Sequence, residues 1–277
     1  MASVALRQLH LGDAVDFLLT ASPLVAGILA VPTLAAAAGR EPSPPWPTLP
    51  LKPSDLSAHF LWSNRSPWYT ALTHVLCHAN EEHKLANLTT LLLTGSSVHA
   101  AMGPLGWWAT IVGGALTAAL DPLQWRAKQA QSWLNSWTYD MLPSFTPAVA
   151  RAWTSSSGWT ACGASAAVCA QCGAEAALCL EQFVTLVCSV RDADDELRKS
   201  LLLPIVTHGF MLSRAISYVL SEHRALSGGA SLTIWHGAHL TGFWWGVSCY
   251  LIYAVLQRRW SHTSWSLRRQ WRRGGLG

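Results

Sequence analysis

Two long stretches of this chain, Leu85 to Leu120 and Ala225 to Gln257, contain no Asp, Glu, Lys or Arg. A helix on the surface of a soluble domain keeps a polar face, so charges recur every turn or two. Runs this long without a charge fit helices surrounded by lipid or by other helices. The whole chain agrees: 51% of its residues are hydrophobic and 12% are charged, against about 25% charged in a soluble domain. The expected fold class is an all-α polytopic membrane protein, and an ordinary soluble helical domain is excluded. The seven cysteines are odd in number and follow no spacing pattern. They read as small apolar packing residues rather than a disulfide framework.

The order of apolar and polar stretches predicts six spans. The first runs from Phe17 to Gly39 and is interrupted by Pro23 and Pro32. Residues 40–80 read as a long loop on or in the outer leaflet, with prolines that forbid a regular helix and with Trp46, Phe60, Trp62 and Trp68. The second span runs from near Glu82 to near Val98, with Glu81, Glu82 and Lys84 at its wet end. The third covers Ala100 to Leu120. In the connection 121–158, Trp125, Trp133 and Trp137 alternate with polar residues, which predicts an interfacial helix. The remaining spans are about Trp159 to Val190, Leu201 to Leu220 and Leu232 to Leu256, separated by an aqueous loop at 191–199 and a short one at 221–231. The organisation is a short cytosolic N-terminus (1–16), a six-helix membrane domain (17–257) and a basic tail (258–277).

No signal peptide stands out. Six arginines in the tail abut the last span, so the positive-inside tendency places both termini in the cytosol or its topological equivalent. That topology suits an endomembrane or mitochondrial membrane. The net charge of +4 is explained by this tail, and no nucleic-acid partner is expected.

Three stretches carry chemistry. Cys162-Gly163-Ala164-Ser165 places a hydroxyl in a small-residue segment, and Ala238-His239 places an imidazole in another. Together these are the minimum parts of a nucleophile and its base. The third stretch, His78 to Asn87, offers donors for an oxyanion. Counted from the outer ends of their spans, Ser165 lies about six residues in, His239 about seven and Asn87 about five, so all three share a depth of ~10 Å. His239, Gly242 and Gly246 form one stripe of their helix, and Ala166, Ala170, Gly173 and Ala174 give the serine helix a small stripe that permits close approach. His83 and Asn87, four apart, share a face. The plainer readings are a serine that only packs helices, histidines that anchor loops (His74, His78) or line the mouth (His236), and histidine pairs that bind metal. The pairs are His78 and His83, or His236 and His239, and no carboxylate or cysteine completes an obvious metal site with either, so no metal and no cofactor is expected. Glu175 and Arg214 are the other embedded charges, expected to pair, to face hydrated cavities or, for Arg214, to snorkel.

Taken together, His78-x4-His83-x3-Asn87, Gly163-x-Ser165 and Ala238-His239-x2-Gly242-x3-Gly246 resemble the rhomboid family of intramembrane serine proteases. The resemblance runs over roughly 67–257, in family order, and extends to Gly95, Gly103 and Gly173. It departs from the family pattern at Ala166 (a glycine after the serine), Cys169 (an aromatic), Tyr69-Thr70 (a Trp-Arg pair) and His99 (a glutamate). The resemblance implies a six-helix rhomboid-like bundle with a Ser165–His239 dyad and no third carboxylate. It implies an oxyanion held by the Ser165 N–H, His83 and Asn87, a site lined by His78, Gly163 and Gly242, and transmembrane protein segments as substrates within the lipid bilayer. The alternatives are a catalytically inactive rhomboid-like protein that binds transmembrane clients, and a histidine-lined metal or proton transporter.

Overall fold

The computed structural model describes residues 11–62, 66–120, 162–191, 193–228 and 236–274. These residues form helices and no strand. The expected interfacial helix at 121–158 lies outside them.

Helix α1, Leu11–Ala30, stops at Val31-Pro32, where Pro32 offers no N–H. Thr33 then caps the short α2, Leu34–Ala37, by accepting from the Ala36 N–H at 3.1 Å. The proline-rich stretch stays irregular as far as α3, Pro53–His59, which begins on Pro53 and on an Asp55 carboxylate that accepts the Lys52 N–H. A short turn of helix, α4 (Thr70–Thr73), tightens into a 3-10 turn at His74–Leu76.

Helix α5, Glu81–Leu120, is broken at Gly103, whose φ of 73° and ψ of 176° are not helical, and is followed at once by Pro104. Only glycine adopts that backbone readily, and the proline cannot extend the preceding helix. The boundary expected at Val98–Ala100 therefore sits at Gly103, and α5 consists of two arms, 81–102 and 104–120. Helix α6 is Ser165–Arg191, α7 is Asp195–Gly228 and α8 is His236–Gly274. Helix α7 extends beyond the expected span at both ends and takes in residues first read as a loop.

Three stretches, Leu11–Ala37, Ser165–Arg191 and Asp195–Ala225, are long and apolar enough to cross a membrane by length and hydropathy. Their outer faces expose large apolar side chains such as Leu18, Val184, Leu203 and Phe210. In water such faces would aggregate, and in lipid they are simply solvated. The chain is an integral membrane protein with an all-helical fold.

The core is a polar knot wrapped in apolar side chains. Gln171 in α6 is fully buried, accepts the Trp107 indole N–H at 2.9 Å and donates to the Leu91 carbonyl at 2.9 Å and to Thr94. One side chain thus ties both arms of α5 to α6, with each buried polar atom satisfied. Phe17 of α1 meets Trp107 edge-on at 5.7 Å, and the Thr20 hydroxyl and His99 Nε2 hydrogen-bond at 3.1 Å. Lys84, expected at a wet helix end, is instead completely buried. Its ammonium donates to the Val31 carbonyl at 3.0 Å and to Glu81 at 3.1 Å. Glu175 accepts from the Ser97 hydroxyl at 3.0 Å, while Arg214 is exposed and no ion pair joins the two among the described residues.

Helices α6 and α8 touch through their backbones. A Cβ added at Gly242 would meet the Ala166 carbonyl, one at Gly246 would overlap the Ala170 carbonyl, and one at Gly173 the Phe243 carbonyl. No rotamer change can relieve such an overlap. Gly246→Leu is therefore expected to force α6 and α8 apart and lower the midpoint of thermal unfolding in detergent by more than 10 °C, about the effect of 2–3 kcal/mol or more in a domain of this size. The exposed Leu251→Ala should leave the midpoint within about 2 °C, as expected of a surface change within about 0.5 kcal/mol.

Two loop histidines give an acid limit. Burial lowers His74 to about 4 and His78 to about 3. The unfolded chain therefore binds more protons than the folded one between these values and about 6.5. Stability contributed by these neutral rings is complete above pH 6.5 and falls as the pH drops toward 4. Melting curves collected from pH 7 to pH 4 should show a declining midpoint, and His74→Phe should flatten the decline.

Candidate active site

Ser165 is the first residue of α6. It was expected about six residues into its span, but Cys162, Gly163 and Ala164 are not helical. Gly163 adopts φ 105°, a region side chains disfavour, and a Cβ there would also stand 2.9 Å from the His83 ring. The loop is held from the opposite side. The Gly163 N–H donates to the His74 carbonyl at 2.9 Å, and the Ala164 N–H donates to His78 Nε2 at 3.2 Å. His78 is completely buried, and burial, reinforced by the charges of His83 and Lys84, keeps it neutral near pH 7. Because its Nε2 accepts, its proton resides on Nδ1. His78 therefore serves as a post for the serine loop.

The helix start has a chemical consequence. The first four N–H groups of a helix have no partner within it and carry its positive dipole end. The Ser165 N–H is one of these.

His239 is the fourth residue of α8 and Asn87 the seventh of α5. The backbone contact of α6 and α8 relates Ser165 and His239. Gly242, one turn after His239, rests on the Ala166 carbonyl, next to Ser165. The Ala166 side chain, where the family pattern has glycine, packs on Ala238. The serine and histidine therefore occupy adjacent turns of touching helices. Among the described residues, no hydrogen bond joins their side chains.

The first arm of α5 closes the third side. The His83 ring is 5.3 Å from the His78 ring and also interacts electrostatically with His239. Asn87 is buried, and its amide nitrogen has no hydrogen-bond partner. A buried donor without an acceptor costs about 1–3 kcal/mol.

One group was missed. Glu222, near the end of α7, accepts from His236 Nδ1 at 2.7 Å and interacts with His239 Nδ1 at 3.2 Å. The donor atoms of all three lie within 4.8 Å of one another. The expectation that no carboxylate accompanies His236 and His239 is corrected here, as is the reading of His236 as a mere lining residue. Glu222 was hidden by its placement in a loop; the structure puts it on a helix that runs to Gly228. The signal lay in Tyr218 and Glu222, two polar residues four apart at the end of an apolar helix. Tyr218 bonds Cys169 at 2.8 Å, bringing an aromatic beside the position where the family pattern supplies one from α6 itself.

The assembled groups are a hydroxyl at a helix start, an imidazole on the touching helix, and donors on a third helix. Such a set can run nucleophilic attack on a carbonyl with proton transfer and oxyanion binding. No curated protein and no solved structure matches the chain. A model of the Rhomboid domain matches residues 65–256, which span every site residue described above and well over half of the sequence. The chain is a member of the rhomboid family.

Proposed function

We propose that the protein is an intramembrane serine protease that cleaves transmembrane segments of other membrane proteins. The observation that supports this reading is the backbone seam between α6 and α8, which sets Ser165 and His239 on adjacent turns of touching helices, with the His83 ring against Gly163 and the unsatisfied Asn87 amide one turn further along α5. His239 takes the proton of the Ser165 hydroxyl as its oxygen attacks a peptide carbonyl. The oxyanion is received by the Ser165 N–H, the Asn87 amide and His83. The proton then passes to the leaving nitrogen, and water hydrolyses the acyl-enzyme. A substrate helix must first unwind, because its carbonyls are engaged in intrahelical bonds, so glycine or proline near the cut favours cleavage.

The same proposal assigns six spans: α1, the two arms of α5, α6, α7 and the first part of α8. Both termini face the cytosol, residues 17–257 form the membrane domain, and 1–16 and 258–277 flank it. A glycosylation acceptor inserted near Ser54 should be modified when the chain is made in a glycosylating membrane, and one added at the C-terminus should not.

One observation favours a second reading, an inactive rhomboid that binds transmembrane clients: Ser165 and His239 share no hydrogen bond in this structure. Catalytic hydrogen bonds often tighten only when substrate is bound, so labelling decides between the two. A fluorophosphonate should attach to Ser165 of the purified protein. Ser165→Ala and His239→Ala should each abolish cleavage of a transmembrane substrate, with the double variant no worse than either, because the pair acts as a unit. A folded wild type that neither labels nor cleaves would favour the client-binding reading.

Asn87→Ala should slow cleavage by about 10²-fold or less, since an oxyanion donor contributes about 10²–10³-fold and His83 overlaps its role. Its thermal midpoint should not fall, because the lost amide has no partner to leave behind.

A further inference from the structure

We propose that Glu222 is a positioning residue for His239, converting the expected dyad into a relay of hydroxyl, imidazole and carboxylate assembled from α6, α8 and α7. This rests on the serine–histidine reading above. Glu222 Oε2 lies 2.7 Å from His236 Nδ1 and 3.2 Å from His239 Nδ1. An ionised carboxylate can only accept, so both Nδ1 atoms carry protons. That fixes the His239 tautomer: Nε2 keeps its lone pair and is the ring nitrogen left to take the Ser165 proton. When that proton arrives, the imidazolium forms beside a carboxylate already in place. No group on Glu222 needs to change protonation, since the proton moves from Ser165 Oγ to His239 Nε2 and on to the leaving amine.

The surroundings favour this role. Glu222 is only 11% exposed, and a carboxylate withdrawn from water is tolerated when hydrogen bonds replace its hydration. His236 supplies one of them and aims the carboxylate. One turn earlier on α7, Tyr218 is fixed by its bond to Cys169 and by its ring packing on Phe243 at 6.2 Å. The carboxylate thus stands on a helix clamped to both α6 and α8.

A metal ion is the competing occupant of two histidines and a glutamate. Ligands of one tetrahedral zinc, each about 2.0–2.1 Å from the ion, stand roughly 3.3 Å apart. The 2.7 Å separation of His236 Nδ1 and Glu222 is instead that of a hydrogen bond, and metal content is one outcome of the test below.

The test uses full-length protein in detergent, with Glu222→Gln, Glu222→Asp and His239→Asn variants. Glu222→Gln keeps the shape but loses the charge and can present an N–H to His239, reversing the tautomer. Fluorophosphonate labelling of Ser165 and kcat for a transmembrane substrate should fall on the order of 10²–10⁴-fold, with KM and thermal midpoint little changed, and Glu222→Asp should recover part of the loss. Nitrogen-15 spectra of histidine-labelled protein, with the His239 signal identified by its loss in His239→Asn, should show the Nδ1–H tautomer in wild type and its loss in Glu222→Gln. Equal labelling by wild type and Glu222→Gln would overturn the proposal and leave the protease reading standing. A wild type that never labels fails the protease reading, while the tautomer still reports on Glu222; an Nε2–H tautomer there overturns the proposal as well. One zinc per chain in the purified protein, lost in Glu222→Gln, would also overturn it in favour of a metal site.

Discussion

The contact on which the rest depends is the seam where α6 and α8 meet backbone to backbone. Gly173, Gly242 and Gly246 each face a carbonyl oxygen of the partner helix at a distance that excludes any side chain. In lipid there is no hydrophobic drive to press helices together, so dispersion between closely fitted surfaces must hold them. A seam of main-chain atoms has no rotamers to lose, and its spacing is set by covalent geometry. Ser165 and His239 inherit their proximity from that spacing.

Around the seam, polar groups are placed where the fold can satisfy them, with two exceptions. Gln171 sits at the centre of the core with its amide fully engaged. His78 and His74 bind the backbone of the serine loop from below. The Asn87 amide nitrogen and the His78 Nδ1 are the two left without a partner. In a low-dielectric interior an open donor is costly.

Much of this was legible in the sequence. Uncharged runs and small-residue stripes gave the helical membrane fold and named the pair of helices that touch. The spacing of His78, His83 and Asn87 placed them on one element and its approach. What the sequence hid were helix ends. Cys162 to Ala164 is as apolar as the helix after it, so hydropathy could not show that α6 starts at Ser165; the constraint comes from Gly163, whose backbone is set by tertiary hydrogen bonds. Glu222 was lost in the same way, because a glycine-containing stretch after it suggested a loop. Lys84 was misjudged since a charge near a span end is normally wet, and only the fold reveals the carbonyl and carboxylate that receive it.

The burial of Lys84 has a consequence for where this protein begins as a physical object. The match to the family begins at residue 65, yet the ammonium of Lys84 is answered by the Val31 carbonyl, and Phe17 and Thr20 fill the space against Trp107 and His99. A chain cut at residue 65 would retain a cation in its interior with one of its acceptors gone, at a penalty of several kcal/mol. The stretch that matches the family and the stretch that can stand alone are different lengths of polypeptide, and a single lysine marks the difference.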